Sequence, residues 1–168
     1  LKNTKSIFLV TNGQEPEMIV RLIRENALPT QLYLSTNASN KKMFYQINRP
    51  KYKDSWDRWL TTLNILSEMN TRTVLRITLI RNYNSDLNHI PEFVDLINQA
   101  NPHFIEVKSY MHIGMSTNRL EHNNMLDIEE VREFTRELQK TLQGYNIMDE
   151  GEISRIVVLQ NHKRYTNR

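Results

Sequence analysis

The chain has 168 residues, 39% hydrophobic and 24% charged, with a formal net charge of +3 and no cysteine. That size and balance describe one folded domain with its own core and exclude a disordered segment. Without cysteine the chain has no disulfide, thiolate metal site or cysteine nucleophile of its own.

His89, His103, His112, His122 and His162 lack ligand spacing, so no metal site is expected. The mild positive charge admits a nucleic-acid partner without requiring one. No run approaches the roughly 20 apolar residues of a membrane span. The opening LKNTKSIFLV enters a strand-like stretch with no signal peptide, so a cytoplasmic protein with no membrane partner is expected. A start at Leu1 rather than Met hints at part of a longer protein.

Residues 6–12 (SIFLVTN) are apolar and β-rich and stop at Gly13, which predicts a buried strand. Residues 15–28 carry Met18, Ile19, Leu22 and Ile23 at helical spacing behind an acidic first turn. The alternating 31–37 (QLYLSTN) reads as a second strand, and 39–47 as a short helix capped by Ser39. Pro50 keeps 48–53 a loop. Residues 54–70 form a helix capped by Asp54, with Trp56, Trp59, Leu60, Leu63 and Leu66 on one stripe, which reads as core.

The β-branched 73–80 (TVLRITLI) predict a third strand. A helix over 91–100 begins with Pro91, and 104–114 (FIEVKSYMHIG) read as a fourth strand. Residues 128–143, entered through Asp127 and stopped by Gly144, predict a helix, and 153–159 (ISRIVVL) a fifth and last strand.

Strands alternating with helix-length crossovers predict a parallel sheet covered by helices, with ligands at the carboxyl ends of the strands. Polar residues share one phase on three successive strands: Tyr33, Ser35 and Asn37; Arg76 and Thr78; Glu106, Lys108 and Tyr110. The opposite phase is almost wholly apolar. If helices cover that apolar phase, the polar phase faces a lumen, the geometry of a barrel or part-barrel with a ligand inside. Charges there must be paired, hydrogen-bonded or used. Glu106 and Lys108 neutralising each other is the structural alternative to a ligand-binding role.

FLVTNG, QLYLSTNAS followed by Arg49-Pro50, RTVLRITLI-x-x-YN, and FIEVKSYMHIG with S-x-x-RL-x-x-x-NM resemble, in order, the second half of the radical S-adenosylmethionine enzymes of wyosine synthesis. The resemblance runs from residue 8 to about 159. It implies an α/β fold, an incomplete (β/α)6 TIM-like barrel of parallel strands with helices on the outer face. Residues 1–168 would be a single-domain fragment supplying the third to sixth barrel strands plus a C-terminal helix and strand.

The family condenses N1-methylguanosine of tRNA-Phe with two carbons of pyruvate into a tricyclic base. A 4Fe-4S cluster on a CxxxCxxC loop cleaves S-adenosylmethionine to a radical, and a second cluster and a Schiff-base lysine hold pyruvate. Those cysteines and that lysine belong to the first half. The chain is therefore expected to need the N-terminal half of the same enzyme as its partner and to be inactive alone.

The resemblance assigns Ser35 and Asn37 to the ribose or methionyl part of S-adenosylmethionine, the alternative being a strand-end turn motif, and Asn12 to its amino group or the cluster mouth, the alternative being a turn with Gly13. The family's strand ends Ser-x-Asp-Ala-Pro where this chain has Ser35-Thr36-Asn37-Ala38-Ser39, so a ribose bond from Asn37 would carry no charge. The family's Lys-Gly is Arg81-Asn82 here. Arg76 and Thr78 would line the lumen, Arg76 facing a cofactor or pyruvate carboxylate or else pairing with Glu106.

Glu106 and Lys108 are the catalytic candidates, at the substrate end or holding the cofactor's carboxylate and amine; Lys108 could also serve chemically as a Schiff-base lysine. Tyr110 and His112 would stack on or bond the flipped guanine, with simple packing the alternative for Tyr110. Arg49, Lys51, Lys53 and Arg119, with the tail Lys163-Arg164, would contact tRNA phosphates, the alternative being ordinary solvated charges. Two other functions stay open: a cluster-free adenosine- or RNA-binding module, and a different radical S-adenosylmethionine activity.

Overall fold

The structure, a computed structural model, describes residues 4–164. The first strand, β1 (Phe8–Thr11), leads through α1 (Pro16–Arg24) to β2 (Gln31–Thr36). Two helices, α2 (Lys41–Asn48) and α3 (Ser55–Glu68), precede β3 (Arg72–Leu79), and α4 (Ile90–Ala100) leads to β4 (Phe104–Ser109). The chain closes with α5 (Ile128–Thr141), β5 (Tyr145–Gly151) and β6 (Ile156–Asn161). Among the described residues no helix is long and apolar enough to cross a membrane.

The strands form one mixed sheet in the order β1-β2-β3-β4-β6-β5. The first four run parallel, as their helical crossovers require. The expectation of an all-parallel sheet fails at the C-terminal end, where β6 lies antiparallel to β4 and pairs with β5 as a hairpin. Since β5 opposes β6 and β6 opposes β4, β5 runs in the direction of β4. The strand–helix–strand rhythm thus continues to β5, and β6 turns back to fill the gap.

The sequence reading missed β5 because YNIMDEG is mostly exposed edge strand, without apolar alternation. Its acids protect that edge, and Glu150 accepts a fork from Arg132 of α5 at 2.6 and 3.0 Å. The expected fourth strand is also shorter: pairing ends at Ser109, and Gly114, at φ +62°, lies in a 3-10 turn over Gly114–Asn118.

One core holds the sheet to its helices. Leu32, Leu34, Leu75, Ile77, Ile105, Val107, Val157 and Leu159 join it from the strands, and Ile19, Phe44, Trp59, Leu63, Phe93, Ile97, Phe134 and Leu138 from the five helices. All those strand residues belong to one phase, so the polar phase is left without a helical layer. Burying each large apolar side chain contributes roughly 1.5–3 kcal/mol, so the helix-covered face dominates stability.

Helix entries follow local chemistry with two corrections. Asn40, not Ser39, caps α2 by accepting from the Met43 amide at 2.9 Å. Ser39 Oγ instead donates to Glu92 at 2.5 Å, tying the end of β2 to α4. Asp54 flanks α3 without capping it and accepts from Arg58 at 3.0 Å. Asp127 and Glu130 form a reciprocal capping box on α5.

Candidate active site

Parallel register sets the polar rows. Ser35, Arg76 and Glu106 are side by side across β2, β3 and β4, and Thr78 stands beside Lys108 one pair further on. Arg76 donates to both carboxylate oxygens of Glu106, at 2.7 and 3.3 Å, and its guanidinium sits 4.4 Å from the Tyr33 ring centre. The ion pair on this face is therefore Arg76–Glu106, not Glu106–Lys108. Burial and the nearby Glu106 charge raise the Tyr33 pKa above its ordinary value, and Arg76 partly offsets them. The Lys108 ammonium makes no hydrogen bond or ion pair among the described residues.

Two cavities open at the carboxyl ends of the parallel strands. The β2–α2 cavity, about 360 Å³, is lined by Asn12, Gln14, Ser35, Asn37, Asn48 and Lys51, among others. The β3–β4 cavity, about 240 Å³, is lined by Asn37, Asn48, Arg49, Thr78, Tyr83, Tyr110 and Arg119, among others. Asn37 and Asn48 belong to both, and the Asn37 amide donates to Asn48 Oδ1 at 3.0 Å, forming the wall between them.

Several side chains hold this mouth in place. Gly13 has φ +72°, and a Cβ there would lie 2.8 Å from Leu34 and 3.0 Å from Trp59, so only glycine lets β1 turn so close to α3. Asn12 Oδ1 accepts from the Gln14 amide at 3.1 Å, so Asn12 both shapes the turn and lines the cavity. Trp59 Nε1 donates to the Ser35 carbonyl at 3.1 Å. Buried Asn84 accepts from the Ile80 amide at 2.6 Å and donates to the Thr78 and Asn37 carbonyls at 2.8 and 2.9 Å, locking the β2 and β3 ends together.

Tyr110 is buried, and its hydroxyl contacts Ser116 Oγ at 3.1 Å and His112 Nδ1 at 3.3 Å. His112 itself lines neither cavity, nor do Arg76, Glu106, Lys108 or Lys53. Arg119 donates to the Ile47 carbonyl at 3.1 Å, which steers it over the β3–β4 cavity. The tail lies at the other end of the sheet. There Arg164 donates to the Leu66 and Met69 carbonyls at 3.3 and 3.1 Å, closing the C-terminus of α3 rather than joining the basic group.

The sequence reading missed Asn48, Tyr83 and Gln14. The repeated Asn and Tyr beside Arg49-Pro50 and in Tyr83-Asn84 were the available signal for the first two.

Among the described residues, Gln14 Oε1 is a buried side-chain acceptor without a hydrogen-bond partner. It fits a ligand that brings an N–H donor, as the amino groups of S-adenosylmethionine do. An iron–sulfur cluster fits poorly, since the chain has no cysteine and the described residues contain no metal-holding cluster of His, Cys, Asp or Glu.

The wyosine base formation family profile matches residues 99–161. An S-adenosyl-L-methionine-dependent tRNA 4-demethylwyosine synthase of Pyrococcus horikoshii is 44% identical over 153 residues. This chain is a relative of the tRNA 4-demethylwyosine synthases. The alignment covers 90% of this chain and 44% of that synthase. The Methanocaldococcus jannaschii synthase is 40% identical over 99% of this chain and 50% of its own length, so the chain spans about half of these archaeal relatives. A structure of TYW1 with a lysine–pyruvate adduct bound superposes at a TM-score of 0.81 with 38% identity, over 97% of this chain and 49% of that one.

Proposed function

We propose that this chain is the C-terminal half of the catalytic domain of a radical S-adenosylmethionine enzyme that condenses N1-methylguanosine of tRNA-Phe with pyruvate to give 4-demethylwyosine. The observation that carries the proposal is the pair of adjoining cavities at the carboxyl ends of the strands, which share Asn37 and Asn48, one adding Asn12, Gln14, Ser35, Lys51 and Tyr52, the other Arg49, Arg119, Tyr83 and Tyr110, among others. The activity for which the synthase relatives are named supports the same reading.

On this reading the β2–α2 cavity takes S-adenosylmethionine. Asn12, Ser35 and Asn37 bond its ribose and methionyl groups, and the orphan acceptor of Gln14 takes one of its N–H groups. When bound, that cofactor supplies the radical that activates pyruvate. The β3–β4 cavity takes the target nucleotide, with Arg49 and Arg119 toward phosphate and Tyr83 and Tyr110 toward the base.

His112 and Ser116 fix the Tyr110 hydroxyl. Thr78 lines the nucleotide side, and the Lys108 ammonium on the neighbouring strand, outside both cavities and without a side-chain partner among the described residues, is the cation for a carboxylate of pyruvate or cofactor. Arg76 and Glu106 are positioning residues, each committed to the other. Lys51 borders the cofactor side, and Lys53, outside both cavities, extends the basic loop toward RNA.

The cluster and its cysteines come from the N-terminal half. The free edge of β1, where Ile7, Phe8 and Val10 are exposed, is the seam on which that half docks. The sixfold strand count of a closed part-barrel is completed by that docking.

The test is co-expression of this chain with a cysteine-bearing first half, followed by titration with S-adenosylmethionine and assay of tRNA-Phe modification. Ser35→Ala with Asn37→Ala should weaken S-adenosylmethionine binding about tenfold or more, the scale of losing two ligand hydrogen bonds. Unchanged affinity in that variant, or no modified base from the assembled parent protein, overturns the proposal.

A further inference from the structure

We propose that the turn following β4 is an apolar wedge that enters the base stack of a single-stranded RNA loop while one nucleotide is drawn into the β3–β4 cavity. This deepens the function proposed above and rests on it. Ile113 and Met115 at the tip of the turn are 70% and 81% exposed, and with the nearby exposed Met111 they put three large apolar side chains within five residues.

The tip is built rather than loose. The Ile113 amide donates to the Met111 carbonyl at 2.8 Å, Ser116 Oγ to the Ile113 carbonyl at 2.7 Å, and Thr117 Oγ1 to the Gly114 carbonyl at 2.8 Å. Between the two apolar residues Gly114 takes φ +62° with open space where a Cβ would point. Two apolar side chains are thus held outward on a short, hydrogen-bonded turn, which lowers the entropy lost on insertion.

The turn is wired to the cavity. Ser116 lines it and contacts the Tyr110 hydroxyl at 3.1 Å, and Arg119, at the end of the same turn, lines it beside Arg49. Drawing a base out of a stack leaves a gap, and nucleic-acid-binding proteins commonly offset lost stacking with apolar side chains inserted between bases. The cavity offers two tyrosine rings to the extracted base, and its two arginines offer phosphate contacts. That positive rim favours an RNA loop over an apolar protein partner.

The experiment uses this chain assembled with its cluster-bearing first half and a tRNA-Phe anticodon stem-loop carrying 2-aminopurine next to the target guanosine. The parent protein should bind it and raise 2-aminopurine fluorescence as the neighbouring stack opens. Ile113→Ala with Met115→Ala should weaken RNA binding about tenfold and abolish the fluorescence rise, while S-adenosylmethionine affinity stays at the parent value.

Ile153→Ala removes an equally apolar residue, 95% exposed in the β5–β6 turn and lining neither cavity, and should change nothing. Parent-like RNA binding and fluorescence in the double variant overturn the wedge. So does equal weakening by Ile153→Ala, or loss of assembly with the first half, which would make the tip a protein contact. A parent protein that binds no RNA overturns the functional proposal itself.

Discussion

Glu106→Leu tests whether the open face is held by a specific ion pair. The side chains of Arg76 and Glu106 are 28% and 11% exposed, with contacts of 2.7 and 3.3 Å between them. Breaking a fully buried pair by removing one partner costs roughly 3–5 kcal/mol. Arg76 keeps some water and its stacking on Tyr33 at 4.4 Å, so the expected loss is about 2 kcal/mol. For a chain of this length that corresponds to a fall in Tm of about 4–8 °C.

Urea and thermal unfolding followed by circular dichroism measure that loss. The double variant Arg76→Met with Glu106→Leu should return to within about 1 kcal/mol of the parent, because no buried charge is then stranded. A second readout is independent of stability. Glu106 raises the Tyr33 pKa, so Glu106→Leu should lower it, visible as the difference from a Tyr33→Phe background in an alkaline absorbance titration. A loss below about 0.5 kcal/mol together with an unmoved Tyr33 would refute the pairing argument.

His103 gives a pH prediction with a definite sign. Burial, with Arg164 and Arg72 nearby, lowers its pKa from 6.5 to about 4, and it accepts from the Thr73 amide at 3.2 Å while neutral. The unfolded chain therefore binds the extra proton between those values, so this stabilisation is complete above pH 6.5 and is lost as pH falls toward 4. Discounted for partial exposure, the parent should lose about 1–2 kcal/mol more than His103→Gln between pH 7 and 4, read from urea midpoints. Gly13→Ala should cost about 2–4 kcal/mol, combining a left-handed φ of +72° with Cβ contacts of 2.8 Å to Leu34 and 3.0 Å to Trp59, and a loss under 1 kcal/mol would mean that these two side chains yield easily.

Period-two alternation made the open face legible, because one covered face forces apolar residues into a single phase. It placed Ser35, Arg76 and Glu106 in neighbouring positions, and their register puts them in one row. The same rule failed for β5, an exposed edge strand whose YNIMDEG has no face to bury, and for the antiparallel return of β6, which a hairpin sets. It overran at β4, since Tyr110 and His112 keep an alternating pattern after pairing has stopped. Asn48 and Asn84 left only their residue type as a signal, for a different reason. Their importance lies in hydrogen bonds to residues distant in sequence or to main-chain atoms, and neither leaves a periodic trace.

The wall between the cavities also gives a physical reason for Asn37 where the resemblance expects Asp. Its amide nitrogen donates to Asn48 Oδ1, and its own Oδ1 has no hydrogen bond among the described residues. A carboxylate at position 37 could only accept, so Asn48 would have to reverse its amide to keep the wall closed. With Asn, the contact at 3.0 Å is satisfied from one side while an acceptor remains for a ribose hydroxyl. The substitution thus trades a charge at the cofactor side for a donor at the partition. It makes Asn48, at the end of α2, the residue whose placement keeps the two proposed ligands apart.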